Sequence, residues 1–331
     1  MHPQTTQARQ DVEALATHAG REVRSSGHAD ARRWLVDRLS GMNLAPYAGE
    51  SFELPYSMGG TDSCNVMARL PGRRGASSGL PILLAAHYDT CGPYPGADDN
   101  AAAIAAALLA AESLAADPID ADVVLAFFDA EEPPYFLSPS MGSTFFYEHQ
   151  RQDDFRCAVV MDLVGHDVGL PGLEDTLFLM GAENLVESSP QGPGRPLIED
   201  LPEEDRLDIR RLRNDYVGDM SDHHIFRENG APFLFLSCGE WAHYHMPTDT
   251  PDRLNYERIA ATGDYLVKLA RWLDQREVAF DSESLTEADE ARIFTNDFGP
   301  VLEKFGLEVP VRSSAQVAEI VHLLRSSFSG G

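Results

Sequence analysis

Residues 80–132 read LPILLAAHYDTCGPYPGADDNAAAIAAALLAAESLAADPIDADVVLAFFDAEE, and the fold is decided there. The run from Leu80 to Ala86 is short, apolar and opened by Pro81, the pattern of a buried strand. His87 and Asp89 stand at its end. A Gly/Pro loop leads to Asp98, Asp99 and Asn100. Ala101 to Ala116 is almost entirely Ala, Leu and Ile, which predicts a helix, with Asp99 or Asn100 able to cap its first turn. A second apolar run, Val123 to Asp129, ends in Glu131–Glu132. The order is strand, loop, helix, strand, with hard ligands at the strand ends. In open α/β sheets, sites form outside the carboxyl ends of the strands.

Outside this stretch the pattern continues. Residues 8–42 have helical periodicity, with Ala31, Trp34, Leu35 and Leu39 on one face and Gly41 as a stop. Phe52–Leu54, Cys64–Leu70, Cys157–Val164, Leu177–Met180 and Pro232–Ser237 are strand candidates. Residues 72–79 read as a turn, Gly142 to Gln150 as a helix start, Ser221 to Asn229 as a helix capped by Ser221 or Asp222, and Tyr256 to Leu273 as an amphipathic helix. The segment 187–215, rich in Pro, Gly and charge, reads as an irregular excursion rather than sheet. The expected architecture is α/β and three-layered, a largely parallel, mixed sheet with helices on both faces. Residues 1–276 would form one domain and 277–331 a charged helical appendage packed on it.

Composition narrows the function. Asp and Glu total 53 against 26 Lys and Arg, a formal charge of −27, which argues against nucleic acid and anionic membrane as partners. The four cysteines, Cys64, Cys91, Cys157 and Cys238, lack CxxC spacing and read as reduced thiols. The start lacks an apolar signal core, and no run approaches the length expected of a membrane helix, so a cytoplasmic location is the expectation.

His87, Asp98, Glu132, Asp162 and His245 stand out as metal-type ligands, each at a predicted strand end or in a loop. Singly, each has a bland reading: a core histidine, a solvated acidic turn, a helix cap. Together they suit Zn²⁺, which takes imidazole and carboxylate donors. Three carboxylates serving two sites require one to bridge. Two dications against three carboxylates leave a surplus positive charge that would acidify a shared water.

HYDT (87–90), GADDNAAA (96–103), FFDAEE (127–132) followed by Gly142–Ser143, MDLVG (161–165) and YHMPTDTPD (244–252) resemble the successive motifs of the co-catalytic zinc exopeptidases. That family includes bacterial leucyl aminopeptidases, the glutamate carboxypeptidase II group and glutaminyl cyclases. The likeness covers roughly residues 25–275, and NVMARLPG (65–72) resembles the strand preceding the family's first ligand strand. The resemblance implies two zincs, one on His87 and Asp162, the other on Glu132 and His245, with Asp98 bridging. It implies Glu131 as general base, Asp89 as the group orienting His87, and a cis peptide at Asp98–Asp99. Tyr244 has two readings: a donor to the tetrahedral intermediate, as in the carboxypeptidase relatives, or an aromatic packing residue in a segment that holds Trp241. PPYFLSPSM (133–141) departs from the Glu/Gly-rich run common in the family.

The implied activity is an aminopeptidase acting on a peptide or aminoacyl substrate with a free N-terminus. The alternative is a cyclase-like acyltransferase with one zinc, which SDHHIF (221–226) and GEWAHYH (239–245) somewhat resemble. The cyclases interrupt the Asp–Asp pair and place Trp directly before the last His. Here Asp98–Asp99–Asn100 is intact and Tyr244 precedes His245, which favours the peptidase. A non-catalytic binding module is a third reading, disfavoured because no ligand is missing. Oligomeric state is not legible in the sequence.

Overall fold

The computed structural model describes residues 3–42, 44–73, 79–188 and 194–328, with side chains described as far as 325. Most of the turn expected at 72–79, and part of the 187–215 excursion, lie outside the described residues.

Two N-terminal helices, α1 (Pro3–Leu15) and α2 (Ser26–Gly41), precede strands β1 (Ala45–Pro46), β2 (Glu53–Met58), β3 (Thr61–Leu70) and β4 (Ile82–His87). Then come α3 (Ala103–Ala116), β5 (Val123–Phe128), α4 (Gly142–Phe145), β6 (Cys157–Met161), β7 (Thr176–Met180), β8 (Leu185–Glu187) and β9 (Asp208–Arg211). The chain continues through α5 (Asn214–Val217), α6 (His224–Glu228), β10 (Phe233–Ser237) and α7 (Tyr256–Asp274), and ends in β11 (Val278–Phe280), α8 (Glu287–Lys304) and α9 (Ser314–Phe328). The architecture is α/β, as expected. A mixed sheet runs β1-β3-β5-β4-β6-β10-β7-β9, with β2 paired to β3, and its centre β5-β4-β6-β10 is parallel. Every residue of β4, β5, β6 and β10 is buried, hence their unbroken apolar runs. Strand order reverses about β4: α3 carries the chain to β5 on one side, and β6 lies on the other. Their carboxyl ends therefore open a crevice at a topological switch point.

Helix α3 packs on β4 and β5, and its alanines let α7 approach closely, with a Gly263 in α7 against Leu109 and Ala106. The helical stretch Ala97–Ala116 is long and apolar enough to cross a membrane, contrary to the sequence expectation, but most of it is buried inside the fold. Its apolarity is that of a core helix covered on all sides.

Three expectations are corrected. Residues 8–42 are not one helix: residues 16–25 break it, and Ser25 caps α2 through His28 N–H. Part of the 187–215 excursion is sheet. Strand β9 pairs parallel to β7, and its polar sequence suits an outermost strand. Arg210 binds Thr176 Oγ1 at 3.0 Å, and Arg211 clasps Asp297 of α8. The helix expected from Ser221 shrinks to α6, and Ser221 and Asp222 are buried before it without capping it.

Arg21, in the break between α1 and α2, is fully buried. Its guanidinium donates to the carbonyls of Leu15, Tyr88, Pro95 and Gly96 at 2.7–3.2 Å, and to Asp99 O at 3.3 Å. Its backbone N–H donates to Thr90 Oγ1 at 2.7 Å. One side chain thus ties the end of α1 to the loop after β4. Burial pulls its pKa down to about 10, still charged at neutral pH. Arg21→Met should cost more than about 3 kcal/mol, because buried carbonyls lose charge-assisted donors worth about 1.5–3 kcal/mol each. Urea unfolding checks this; a loss within 1 kcal/mol of zero would show that the loop holds its shape without the clamp.

Candidate metal centre

His87 is the last residue of β4, Asp162 directly follows β6, and Glu131 and Glu132 follow β5 by three and four residues. His245 comes from the long loop after β10. All converge at the carboxyl end of the parallel strands.

Asp99, not Asp98, lies between the two histidines. Its Oδ1 is 3.3 Å from His87 Nε2 and its Oδ2 is 3.2 Å from His245 Nε2. Asp98, expected as the bridging group, points elsewhere. Its Oδ1 accepts from Gly165 N–H at 2.6 Å, and its Oδ2 is 2.6 Å from His166 Nδ1. The cis peptide falls at Asp99–Asn100 rather than Asp98–Asp99. The reason is the turn at 97–102, where Asp99 and Asn100 leave helical φ/ψ, so Asp99 faces the crevice and Asp98 faces the loop after β6. Gly96, at φ +57°, begins the turn; a Cβ there would stand 2.3 Å from Asp99 O.

Around Asp99 two donor groups form. His87, Asp99 and Asp162 converge on one side, with Asp162 Oδ1 3.6 Å from His87 Nε2. On the other, His245 Nε2 is 2.9 Å from Glu132 Oε2, and the sulfur of Cys91 is close to both. Glu131 Oε2 is 3.8 Å from His87 Nε2. Both ring nitrogens of His87, Asp162 Oδ1 and His245 Nε2 are buried and lack a hydrogen bond. Buried polar atoms are normally satisfied. Orphaned imidazole and carboxylate donors facing one another fit divalent cations, and zinc suits this N/O donor set.

The electrostatics agree. Burial lifts Glu131 well above the usual carboxylate range, with Glu132 and Asp162 adding repulsion and His87 opposing it. Burial, then Asp99, pushes Glu132 up to about 8. Burial alone would lower the imidazoles, but Glu131 and Asp162 hold His87 well above its ordinary value, and Asp99 and Glu132 lift His245 to about 10.

Supporting groups are placed by backbone amides. Asp89 is 3.4 Å from His87 Nδ1 without hydrogen-bond alignment, and its two oxygens accept from Glu131 and Glu132 N–H at 3.1 Å each. It fixes the acidic pair as much as the histidine. Sequence reading missed Asp249, whose carboxylate accepts from Asp98 and Asp99 N–H at 2.9 and 3.1 Å, although it lies inside the quoted YHMPTDTPD. It also missed Asp129, which holds His28 Nε2 and Cys64 N–H at 2.7 Å each and so joins β5 to α2 and β3. Asp222 is fully buried with both oxygens unpartnered, and burial pushes its pKa to about 7. Nothing in sequence spacing marks Asp129 or Asp222.

Ala130, Leu163 and His245 have φ of 54°, 54° and 55°. Left-handed backbone at non-glycine residues costs about 1–3 kcal/mol each and clusters at functional sites. One precedes Glu131, one follows Asp162, and the third is His245 itself.

Tyr244 stacks on His245 with ring centroids 3.8 Å apart, and with Asp162 it lines a cavity of about 180 Å³ beside the centre. Burial and the nearby carboxylates raise its phenol, so it stays protonated. His223 and His224 of SDHHIF are outside the centre: His223 stacks on Phe235, and His224 Nε2 is 3.2 Å from Thr144 Oγ1.

Residues 65–270 match peptidase family M28. The chain is 25% identical over 219 residues to the uncharacterized protein YfbL of Escherichia coli, covering 59% of this chain and 68% of YfbL. Its fold is similar to a Zn-dependent exopeptidase from Parabacteroides distasonis (TM-score 0.61, 17% identity, 81% of this chain and 97% of that one). It is similar to the same degree to Tannerella forsythia glutaminyl cyclase (TM-score 0.58, 17% identity, 81% and 98%). With more than half of its residues matched, the chain belongs to peptidase family M28 and has the α/β fold of the zinc-dependent exopeptidases.

Proposed function

We propose that this chain is a di-zinc aminopeptidase, removing the N-terminal residue from peptides or aminoacyl conjugates. The observation that carries the reading is Asp99, whose two oxygens each face a different histidine. One zinc would be held by His87, Asp99 and Asp162, the other by Asp99, Glu132 and His245. When bound, the metals would polarise the scissile carbonyl and acidify the attacking water.

The remaining steps are side-chain chemistry. Glu131 stands beside His87 and takes the proton of the attacking water. Its raised pKa suits an acid that must then return that proton to the leaving amine. Asp89 holds Glu131 and Glu132 in register through their amides. The phenol of Tyr244 donates to the oxyanion as the carbonyl becomes tetrahedral. The substrate's cationic α-amine is drawn to the carboxylate cluster, in keeping with the acidic chain. The cyclase alternative needs one zinc. The intact pair of donor groups around Asp99 favours two.

Elemental analysis of loaded protein should give two zincs. Asp99→Asn should lose both, whereas Asp98→Asn should retain them. A single ion in the wild type, with cyclisation of N-terminal glutamine and no arylamide hydrolysis, would move the assignment to the cyclases.

Glu131→Gln should keep its metals and lose about 10²–10⁴-fold in kcat on an aminoacyl-arylamide. Glu132→Gln should instead lose metal. Equal metal loss in the two variants would mean that their roles are misassigned.

Zinc uptake should release protons. His87 and His245 bind protons more tightly than free imidazole, and metal requires the neutral ring, so affinity should rise as pH increases and fall on acidification. Calorimetric titrations in buffers of different ionisation enthalpy measure the release; the absence of any at neutral pH would contradict histidine ligation.

A further inference from the structure

The cavity of about 180 Å³ is lined from two parts of the chain. Asp162 and Tyr244, at the metal centre, form part of its wall. Phe178, Met180 and Phe235 line it from β7 and β10, and Val321 and Leu324 line it from α9. Helix α9 lies beyond residues 65–270, the part that matches the family.

We propose that α9 forms one wall of the site for the side chain of the substrate's N-terminal residue, that this site takes uncharged aliphatic or aromatic side chains, and that Val321 and Leu324 set how large they can be. The inference rests on the aminopeptidase reading and names its substrate class. Three observations carry it. First, Asp162 faces both the cavity and His87, so a substrate at the centre has the cavity as its neighbour. Second, the lining is mostly apolar, with Glu240 and Arg325 its charged members besides Asp162, and a cavity of about 150 Å³ is enough to take up benzene. Third, α9 is anchored rather than draped. Tyr216 Oη donates to Ser314 O at the start of the helix, and Arg325 Nη1 donates to Tyr216 O near its end. Val317 and Val321 are buried in the main core. Asp162 joins this space to the metal centre, and most of the remaining lining is apolar, matching an α-amine followed by an apolar side chain.

The test uses the full zinc-loaded chain and a series of alanyl-, leucyl- and phenylalanyl-arylamides. Leu324→Trp fills the cavity and should lower kcat/KM for the leucyl and phenylalanyl substrates by at least about tenfold relative to alanyl, since one methylene in such a pocket is worth about 10–200-fold. Leu324→Ala should shift preference towards phenylalanyl and keeps the test decisive if the tryptophan variant fails to fold. Metal content should be unchanged in both. Unchanged substrate ratios in a folded, loaded variant would overturn the inference while leaving the activity intact. If the wild type cleaves no arylamide, the aminopeptidase reading fails, and the cavity is then read by calorimetry with free L-leucine against glycine. Leucine binding more tightly, with the difference lost in Leu324→Trp, supports the apolar site; equal binding, or a difference that survives, overturns it.

Discussion

Buried negative charge is the constraint around which this molecule is arranged. Asp89, Asp99, Glu131, Glu132, Asp162 and Asp222 lie almost completely out of water within one crevice. Ionised carboxylates cannot be buried together without compensation. The protein supplies part of it with amides: Asp89 takes two from the acidic pair, and Asp249 takes two from the turn that carries Asp99. His87 and His245 face the same carboxylates and supply more. What remains is a deficit suited to divalent cations. The left-handed residues Ala130, Leu163 and His245 mark where backbone preference has given way to that geometry.

The parallel centre of the sheet and its ligand-bearing ends were legible because buried strands read as unbroken apolar runs and the acidic and histidine residues follow them directly. His87, Glu131, Glu132, Asp162 and His245 come together where the motif order placed them. The bridging role was expected of Asp98, but Asp99 is the residue that faces both histidines. Two adjacent identical residues differ only in the φ/ψ of the turn between them, and composition does not encode that turn. Strand β9 was hidden for another reason: its arginines are satisfied by Asp297 and Thr176, so a polar stretch could join the sheet. Asp129 and Asp222 are single acidic residues whose importance comes from burial alone.

The segment after α7 lies beyond residues 65–270, the part that matches the family, yet it is continuous with the rest. Strand β11 pairs with β8, and Phe298 of α8 stacks on Phe178 of β7. Family resemblance locates chemistry, which requires particular residues in order. It says little about elements added around that chemistry, whose requirements are only shape and apolarity.

The clamp at Arg21 has a kinetic consequence. The loop that carries Asp99 is held by a side chain from the break between two N-terminal helices. Local opening of that loop must release the buried guanidinium, and with it the end of α1. Opening of this kind is sub-global, with a free energy nearer that of the core than of a surface loop. Amides from Tyr88 to Asn100 would then exchange with solvent together with those of α1. Escape of an ion from the crevice would be timed by that shared opening, not by the breathing of a single turn.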